Sequence, residues 1–393
     1  MKGVCYPKGF KACGVMAGFR TRPDMALVVS DKVCNLGGVF TTNAFKAAPV
    51  LDGIKKVKLG KAQAIVINSG TANACTGTQG DKDVISTCEY AGQVLGIDPS
   101  LVVTGSTGVI GRMLDMDLIK HGIDLGKEAL AYDQGELASK AIMTTDTHPK
   151  RYEKSLNIDG KEVRLGGMCK GSGMICPNMA TTLCYITTDA DISSELLQKA
   201  LSDNIELSFN SLTVDGDMST NDTALCLANG MSGVKIEKDS QGYKLFNDAL
   251  CEILQGLAKQ MAADGEGASK YVEIRVKGAR NYEEAKSASK TVANSSLCKT
   301  AIFGTDPNFG RFLCAAGRSE AYIEPNKCDL YFGDLKIVEK GEPLPLAPET
   351  IRETMLGKEF FVTIDLGLGN GEATCFTCDL TYEYVKINAE YTT

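Results

Sequence analysis

The chain predicts a mixed-sheet α/β or α+β fold rather than a doubly wound sheet. Short apolar strands recur between helical stretches along its length, and turn signals join several of them as hairpins. A third observation is size: 393 residues, 44% hydrophobic and 23% charged, allow a sizeable core and roughly two to three domains. A net charge of −7 argues against general affinity for nucleic acid or anionic membranes. No apolar run approaches the roughly 18 residues of a membrane helix. The start, Met-Lys-Gly-Val-Cys-Tyr-Pro-Lys-Gly, lacks an apolar signal core, so a cytoplasmic protein is expected.

Taken in order, residues 9–50 alternate glycine-rich turns with short strands at Gly14–Gly18, Met25–Ser30 and Val39–Asn43. Ala64–Asn68 is a buried strand that breaks into a polar, Gly-containing loop at 69–77. Helical spacing runs from Asp81 to Leu95 and stops at Gly96. Leu101–Thr104 is a strand entering Gly105-Ser-Thr-Gly-Val-Ile-Gly111, whose glycines let backbone N–H groups approach an anion. That string is not G-x-x-x-x-G-K-[ST], so it implies no nucleotide-binding loop. Leu118–Ile142 reads as largely helical, followed by a turn at 143–149. Arg151–Gly167 alternates as a hairpin around Asp159-Gly160.

Beyond it, Ser193 caps a helix running to about Phe209, and Phe246–Ala262 is strongly amphipathic. The oxygen-rich stretch 210–222 invites a calcium reading. An EF-hand starting at Asp215 needs Gly and Glu where Thr220 and Cys226 stand, so calcium fails. Val272–Val276 is a strand, Tyr282–Val292 a helix, and Ser295–Ile302 helix and strand. Short strands fill 320–339, a helix spans Glu349–Leu356, and Phe360–Asp365 and Thr374–Tyr382 form a final strand pair around Gly367–Gly371. The spacing of those glycines is not a dinucleotide fingerprint. The tail from Tyr384 would ordinarily fray.

Residue types narrow the chemistry. Fifteen cysteines, scattered and odd in number, suit small buried hydrophobes in a reducing compartment. Cys375 and Cys378 have C-x-x-C spacing but no second pair or nearby histidine, so packing is preferred to zinc, and no metal or cofactor is expected. The chain has two histidines, His121 and His148, and no Gly-x-Ser-x-Gly elbow. Such scarcity favours a nucleophile activated without histidine.

The segment around which the chain is organised is Lys170–Ala190. It begins as a Gly/Pro-rich loop and becomes an apolar strand at Leu183–Ile186, with Ala180, Thr181 and Thr182 at the junction. The residues alone allow two readings: an ordinary turn entering a strand, or a hydroxyl held where it can attack a carbonyl.

The string Lys-Gly-Ser-Gly-Met-Ile-x-Pro-Asn-Met-Ala-Thr at 170–181 resembles the self-cleaving segment of the glutamate N-acetyltransferases, the ornithine acetyltransferases of arginine biosynthesis. The resemblance implies cleavage at Ala180–Thr181, with Thr181 as the new N-terminal nucleophile. It also implies Thr107 and Gly108, within Ser-Thr-Gly-Val-Ile-Gly, as the oxyanion hole. Thr144, Lys170, Thr181, Glu266, Asn388 and Thr393 are implied as substrate contacts, the tail folding back to supply the last two. Val-Asp-Gly-Asp-x-Ser-Thr-Asn-Asp-Thr at 214–223 resembles the family's polar loop near the site. Two positions depart from the family pattern: Thr71 where Asn is expected, and Phe309 where Trp is expected.

The implied fold is a layered α-β-β-α core, akin to the N-terminal-nucleophile hydrolases but with its own topology, plus a smaller domain from about residue 280. Residues 1–180 and 181–393 become α and β chains, expected to pair as a heterotetramer of two of each. The implied reaction moves acetyl from N-acetylornithine to glutamate through an acetyl-Thr intermediate, with acetyl-CoA left open as a further donor. Two alternatives stand beside it: an aminopeptidase or amidohydrolase on the related fold, and a non-catalytic binding protein.

Overall fold

The computed structural model describes residues 1–176 and 182–390. In chain order its first part contains β1 (Phe10–Val15), β2 (Met25–Phe40), α1 (Ala48–Leu59), β3 (Lys61–Thr71), α2 (Gly77–Leu95) and β4 (Val102–Val109). There follow α3 (Met116–Ala129), α4 (Gly135–Ala141), β5 (Lys150–Ile158), β6 (Lys161–Lys170), β7 (Leu183–Thr188) and β8 (Asp191–Ile192). Next come α5 (Ser194–Glu206), β9 (Thr223–Ala228), β10 (Lys235–Ile236) and α6 (Gln241–Ala263). The remainder comprises β11 (Tyr271–Ala279), α7 (Tyr282–Ala293), α8 (Ser296–Phe303), α9 (Gly310–Gly317), β12 (Asp329–Phe332), β13 (Leu335–Glu339), β14 (Glu342–Pro343), α10 (Pro348–Glu353), β15 (Glu359–Asp365), β16 (Gly371–Cys378) and α11 (Tyr382–Glu390).

Local chemistry explains the ends of many elements. Asp159 and Gly160 both take positive φ, 53° and 78°, as a two-residue hairpin turn of the primed kind requires, and β5 and β6 pair continuously across it. The α2 helix ends at Gly96, whose left-handed backbone lets its N–H bond the Gly92 carbonyl. Ser193 and Ser240 accept the orphan N–H groups of Leu196 and Tyr243 at the starts of α5 and α6.

Eight strands form the main sheet in the order β4-β3-β2-β9-β7-β6-β5, with β1 also paired to β2. Side-chain alternation along these strands builds four layers, α-β-β-α. Met25 and Leu27 of β2 and Ala64 and Val66 of β3 face Val84 and Cys88 of α2 and Ile119 and Ile123 of α3. Their neighbours Ala26, Val28, Ile65 and Ile67 turn the other way, against Leu183 and Tyr185 of β7 and Leu225 and Leu227 of β9. Cys184 and Ile186 then meet Leu197 and Leu201 of α5 and Leu250, Ile253 and Leu254 of α6. Each fully buried Leu or Ile contributes about 1.5–3 kcal/mol relative to exposure. A second sheet, β14-β13-β12-β15-β11-β16, packs on α7, α8 and α9 around a separate core.

Several expectations need correction. The two strands expected at Met25–Ser30 and Val39–Asn43 are one strand, β2. The exposed Asp31-Lys32-Val33 stretch is an irregularity where the pairing with β3 shifts, not a turn. The strand at Leu101–Thr104 continues to Val109, because the glycines expected to open a loop pair in parallel with the end of β3. Residues 118–142 split into α3 and α4, since Ala131 leaves the helix to bridge Ala12 of β1. Residues 295–302 are helical throughout, as α8. The final strands do not pair with each other. β11 lies between them, parallel to β15 and antiparallel to β16, because the connection crosses its end with Leu366 and Leu368 N–H bonded to Lys277 and Gly278. Of the tail, residues 384–390 lie in α11 rather than fraying. β9, α1 and α9 were not anticipated.

All fifteen cysteines are free thiols, most of them buried. Cys375 and Cys378 serve packing: they sit in two different cores, on opposite faces of β16. Among the described residues no helix is long and apolar enough to cross a membrane.

The inter-sheet core supplies a test of the layering. A Cβ at Gly105 would lie 2.0 Å from the Tyr185 hydroxyl oxygen, a group with no hydrogen-bond partner among the described residues. Gly105→Ala should cost about 1–3 kcal/mol of stability by overpacking. Tyr185→Phe should be close to neutral, and adding it to Gly105→Ala should recover most of the loss, read as denaturation midpoints. A double variant no more stable than Gly105→Ala would refute this packing.

Candidate active site

The ends of β3, β4, β6 and β7 converge on one cavity. Its lining includes Thr107, Gly108, Thr144, Lys170, Thr182, Asn221, Glu266 and Asn388. The cavity therefore gathers every described residue of the expected site. Ala180, Thr181 and Thr393 lie outside the described residues. Thr182, which follows Thr181 in the chain, lines the cavity and donates its hydroxyl to the Lys170 carbonyl.

The β3–β4 pair presents Thr107. At Gly108, φ is 128°, and an added Cβ would stand 2.3 Å from the Gly70 carbonyl carbon. Only glycine permits this backbone approach, which fixes where the neighbouring Thr107 points. The Asn221 amide secures the arrangement from the opposite side. Its nitrogen donates to the carbonyls of Ala72 (2.6 Å) and Ser106 (2.8 Å), and its oxygen accepts from the Thr220 hydroxyl at 2.7 Å. Below it, the Ser106 hydroxyl donates to Asn68 Oδ1 at 2.7 Å.

Lys170 closes β6 with its ammonium 3.3 Å from the Thr107 hydroxyl oxygen. Burial pushes the Lys170 pKa down; Asp146 and Asp222 partly offset this, while Lys150 and Arg20 reinforce it. Because Lys170 donates to the Thr107 oxygen, the Thr107 proton remains free for an acceptor in the cavity. The Thr144 N–H donates to Asp146 Oδ2 at 2.9 Å, and its carbonyl accepts from Arg22 at 2.5 Å.

Glu266 is buried, 8% exposed, and accepts from Asn388 Nδ2 of α11 at 2.7 Å. A Cβ at Gly173 would lie 2.3 Å from this carboxylate, so the second glycine of the Lys170-Gly-Ser-Gly loop makes room for it. The Gly/Pro-rich approach is itself held by Asp215, which accepts from the Met174 and Ile175 N–H groups at 2.7 and 2.9 Å.

Neither sequence departure reaches the cavity lining. Thr71 is buried at the end of β3, its carbonyl accepting from Asn68, and it borders a separate groove with Gly18 and Phe19. Phe309 packs against the second core at the start of α9, so it retains an aromatic packing role. Sequence reasoning placed the 214–223 loop near the site but did not single out Asn221. A buried amide serving two backbone carbonyls has no one-dimensional signature. Asp146, Lys150 and Asp264 were also missed; the acids flanking Thr144 and Glu266 were their one visible signal.

An ammonium, a carboxylate and strand-end N–H and hydroxyl donors facing one cavity suit a zwitterionic amino acid and the charge that develops on an attacked carbonyl. The fold and cavity thus define a four-layer α-β-β-α protein built for acyl chemistry on a small polar substrate. The chain belongs to the ArgJ family, whose model matches residues 11–393. It is 46% identical to the arginine biosynthesis bifunctional protein ArgJ of Symbiobacterium thermophilum, with 100% of this chain and 98% of the relative covered. The protein of the same name from Staphylococcus epidermidis is also 46% identical, over 99% of this chain and 98% of that one. Among solved structures, the arginine biosynthesis bifunctional protein ArgJ of Bacillus halodurans matches at 38% identity and a TM-score of 0.52. The match covers 53% of this chain and 98% of the solved one.

Gly108→Ala tests the strand-end geometry. Its methyl group must force Gly70 and Gly108 apart, at about 1–3 kcal/mol of strain for a positive-φ alanine. Secondary structure by circular dichroism should survive while acyl-transfer activity falls by at least tenfold. Full activity in this variant would mean that the close approach does not set the site.

Proposed function

We propose that this chain is a glutamate N-acetyltransferase of arginine biosynthesis that cuts itself between Ala180 and Thr181 and then carries acetyl on Thr181. The observation that carries the reading is the convergence of Thr107, Gly108, Thr144, Lys170, Glu266 and Asn388, from separate segments, on the cavity that Thr182 also lines. Membership of the ArgJ family supports the pathway. The solved Bacillus halodurans chain aligns over almost its full length yet about half of this one. That share is close to that of residues 181–393 and supports two chains from one precursor.

In self-cleavage the Thr181 hydroxyl attacks the Ala180 carbonyl. The peptide C–N bond breaks with its nitrogen protonated, and an ester replaces it. Water opens the ester, leaving residues 1–180 and a Thr181 with a free α-amine. That amine takes the hydroxyl proton when Thr181 attacks the acetyl carbon of N-acetylornithine. The Thr107 hydroxyl and Gly108 N–H donate to the oxyanion, after which ornithine leaves protonated. The amine of glutamate then attacks the acetyl-Thr181 ester, and N-acetylglutamate departs. Lys170 meets a substrate carboxylate, Glu266 an ammonium or a proton in transit, and Thr144 the substrate. Asn388 and Thr393 close the site from the tail. The two chains are proposed to assemble as a cytoplasmic heterotetramer, with the smaller domain starting near residue 280. Acetyl-CoA is tested as a second donor by assaying glutamate acetylation with acetyl-CoA alone.

Thr181→Ala should remain a single band near 41.9 kDa on a denaturing gel, while the native chain gives two pieces, the second beginning at Thr181. A split Thr181→Ala chain would remove Thr181 from the chemistry.

Thr107→Ala should slow both self-cleavage and transfer by about a hundredfold, roughly 3 kcal/mol of lost transition-state stabilisation. Double-reciprocal plots at several glutamate concentrations should be parallel, and incubation with N-acetylornithine alone should add one acetyl to the 181–393 chain. Intersecting lines with no acetylated chain would mean direct transfer in a ternary complex. Ornithine release that continues beyond one equivalent per chain without glutamate would instead indicate an amidohydrolase.

A further inference from the structure

Beneath the cavity lies a cluster of charges that the proposed reaction does not use. The Lys150 ammonium is completely buried and donates to Asp146 Oδ1 at 2.6 Å and Asp264 Oδ2 at 2.5 Å, both carboxylates having at most 2% of their side chains exposed. Each carboxylate also holds a loop. Asp146 accepts from the N–H groups of Thr144 (2.9 Å) and Gly171 (2.7 Å). Asp264 accepts from the N–H and hydroxyl of Thr147 and stands 3.2 Å from His148 Nδ1. The Ser172 hydroxyl donates to the Asp264 carbonyl at 2.6 Å, and the Glu266 N–H donates to the Ser172 carbonyl at 3.0 Å.

Three segments meet on this cluster, two through the Lys150 ammonium and the third through the Gly171 N–H on Asp146, and each carries a group that lines the cavity: Thr144 between α4 and β5, Lys170 at the end of β6, and Glu266 after α6. Thr144 and Glu266 lie outside the sheet, so ladder register alone does not set these three groups relative to one another. Two buried carboxylates hold the Lys150 ammonium between them, and Asp146 together with Asp222 offsets the buried charge of Lys170. Removing one member leaves an uncompensated buried charge, and the short directional bonds fix distances that apolar packing would leave looser.

We infer that Asp146, Lys150 and Asp264 are positioning residues, setting the placement of Thr144, Lys170 and Glu266 and hence the affinity for an amino-acid substrate. The inference rests on the reading of those three groups as substrate contacts. Asp146 acts chiefly through Lys170, whose backbone neighbour Gly171 it holds and whose ammonium it faces in the same buried cluster. Lys150 donates to both carboxylates and so, with the Gly171 N–H on Asp146, joins the three segments.

The test is a double-mutant cycle on the self-cleaved protein, with Asp146→Asn, Lys170→Met and the pair, measuring kcat and KM for N-acetylornithine per cleaved chain. Asp146→Asn should raise KM by about tenfold to a hundredfold, as a small misplacement of binding groups does, with kcat within about threefold. The pair should be no worse than the more damaging single change, because both act through one group. A lower melting temperature with KM unchanged would reduce the cluster to structural support and overturn the inference, as would effects that multiply. Thr144→Ala, Lys170→Met and Glu266→Gln measured alongside separate the two levels. If all three leave KM unchanged, the substrate-contact reading itself fails and the inference falls with it. If they raise KM and Asp146→Asn does not, the inference alone fails. Should Asp146→Asn not fold, Asp264→Asn takes its place with Glu266→Gln as partner, leaving the Asp146–Lys150 pair balanced, and the same outcomes decide.

Discussion

The layered architecture depends on β2, the one strand that belongs to both halves of the main sheet. Its first part pairs with β1 and β3, and its second part, from Asn35 to Phe40, pairs with β9. Between them, Asp31, Lys32 and Val33 are exposed and the pairing register shifts. A register break of this kind sharpens twist and lets a strand bend. With the halves stacked, the period-2 alternation of β2, β3, β7 and β9 feeds separate cores. A one-residue slip in any of them would exchange its core faces.

That stacking also explains where the chemistry sits. Strands ending together leave carbonyls and N–H groups without ladder partners, and a cavity at those ends collects them. The glycine at 108 lets its backbone come closer to that of Gly70 than any side chain allows, which turns the end of β4 into a rigid mount for Thr107. The mount is polar rather than apolar. Asn221, Ser106 and Asn68 satisfy one another and the nearby carbonyls, so the region is both buried and hydrogen-bonded.

Electrostatics divides the site into two tiers. Around the cavity stand Lys170, Asp222 and Glu266. Beneath them the Lys150 cluster is closed on itself. Burial acts to raise the Asp146 carboxyl, but the Lys150 and Lys170 cations outweigh it and hold it well below the usual carboxylate range. Burial acts to lower the Lys150 ammonium, and Asp146 and Asp264 outweigh that and raise it. Asp146 and Lys150 therefore both stay ionised at neutral pH. Lys170 is lowered by its burial, which Asp146 and Asp222 offset only in part, and it is the more easily discharged of the two lysines.

Some of this was decided by residues acting over short distances and could be read directly. The Asp159-Gly160 turn, the serine caps of α5 and α6, the Gly96 stop and the amphipathic face of α6 follow from local backbone chemistry. The motif at 170–181 named the family because it is long and its order is contiguous. Of the cavity-lining residues, Lys170 lies in that motif, while Thr107, Gly108, Thr144, Glu266 and Asn388 were reached only through the family resemblance at separate short segments. What the sequence could not supply were relations between distant segments. The polar Asp31-Lys32-Val33 stretch looks like a turn until β9 pairs beyond it. Thr223–Ala228 follows a polar loop that dominates its neighbourhood, yet it becomes a central strand because β2 and β7 flank it. Lys150 stands one residue ahead of the expected Arg151–Gly167 hairpin and drew no reading of its own. Asp264, more than a hundred residues away, becomes its partner only once β5 packs on α6. Local propensity sets turns, caps and faces, because its causes lie within a few residues. Strand order and buried charge pairing depend on which segments fold against each other, and that was decided by the tertiary structure alone.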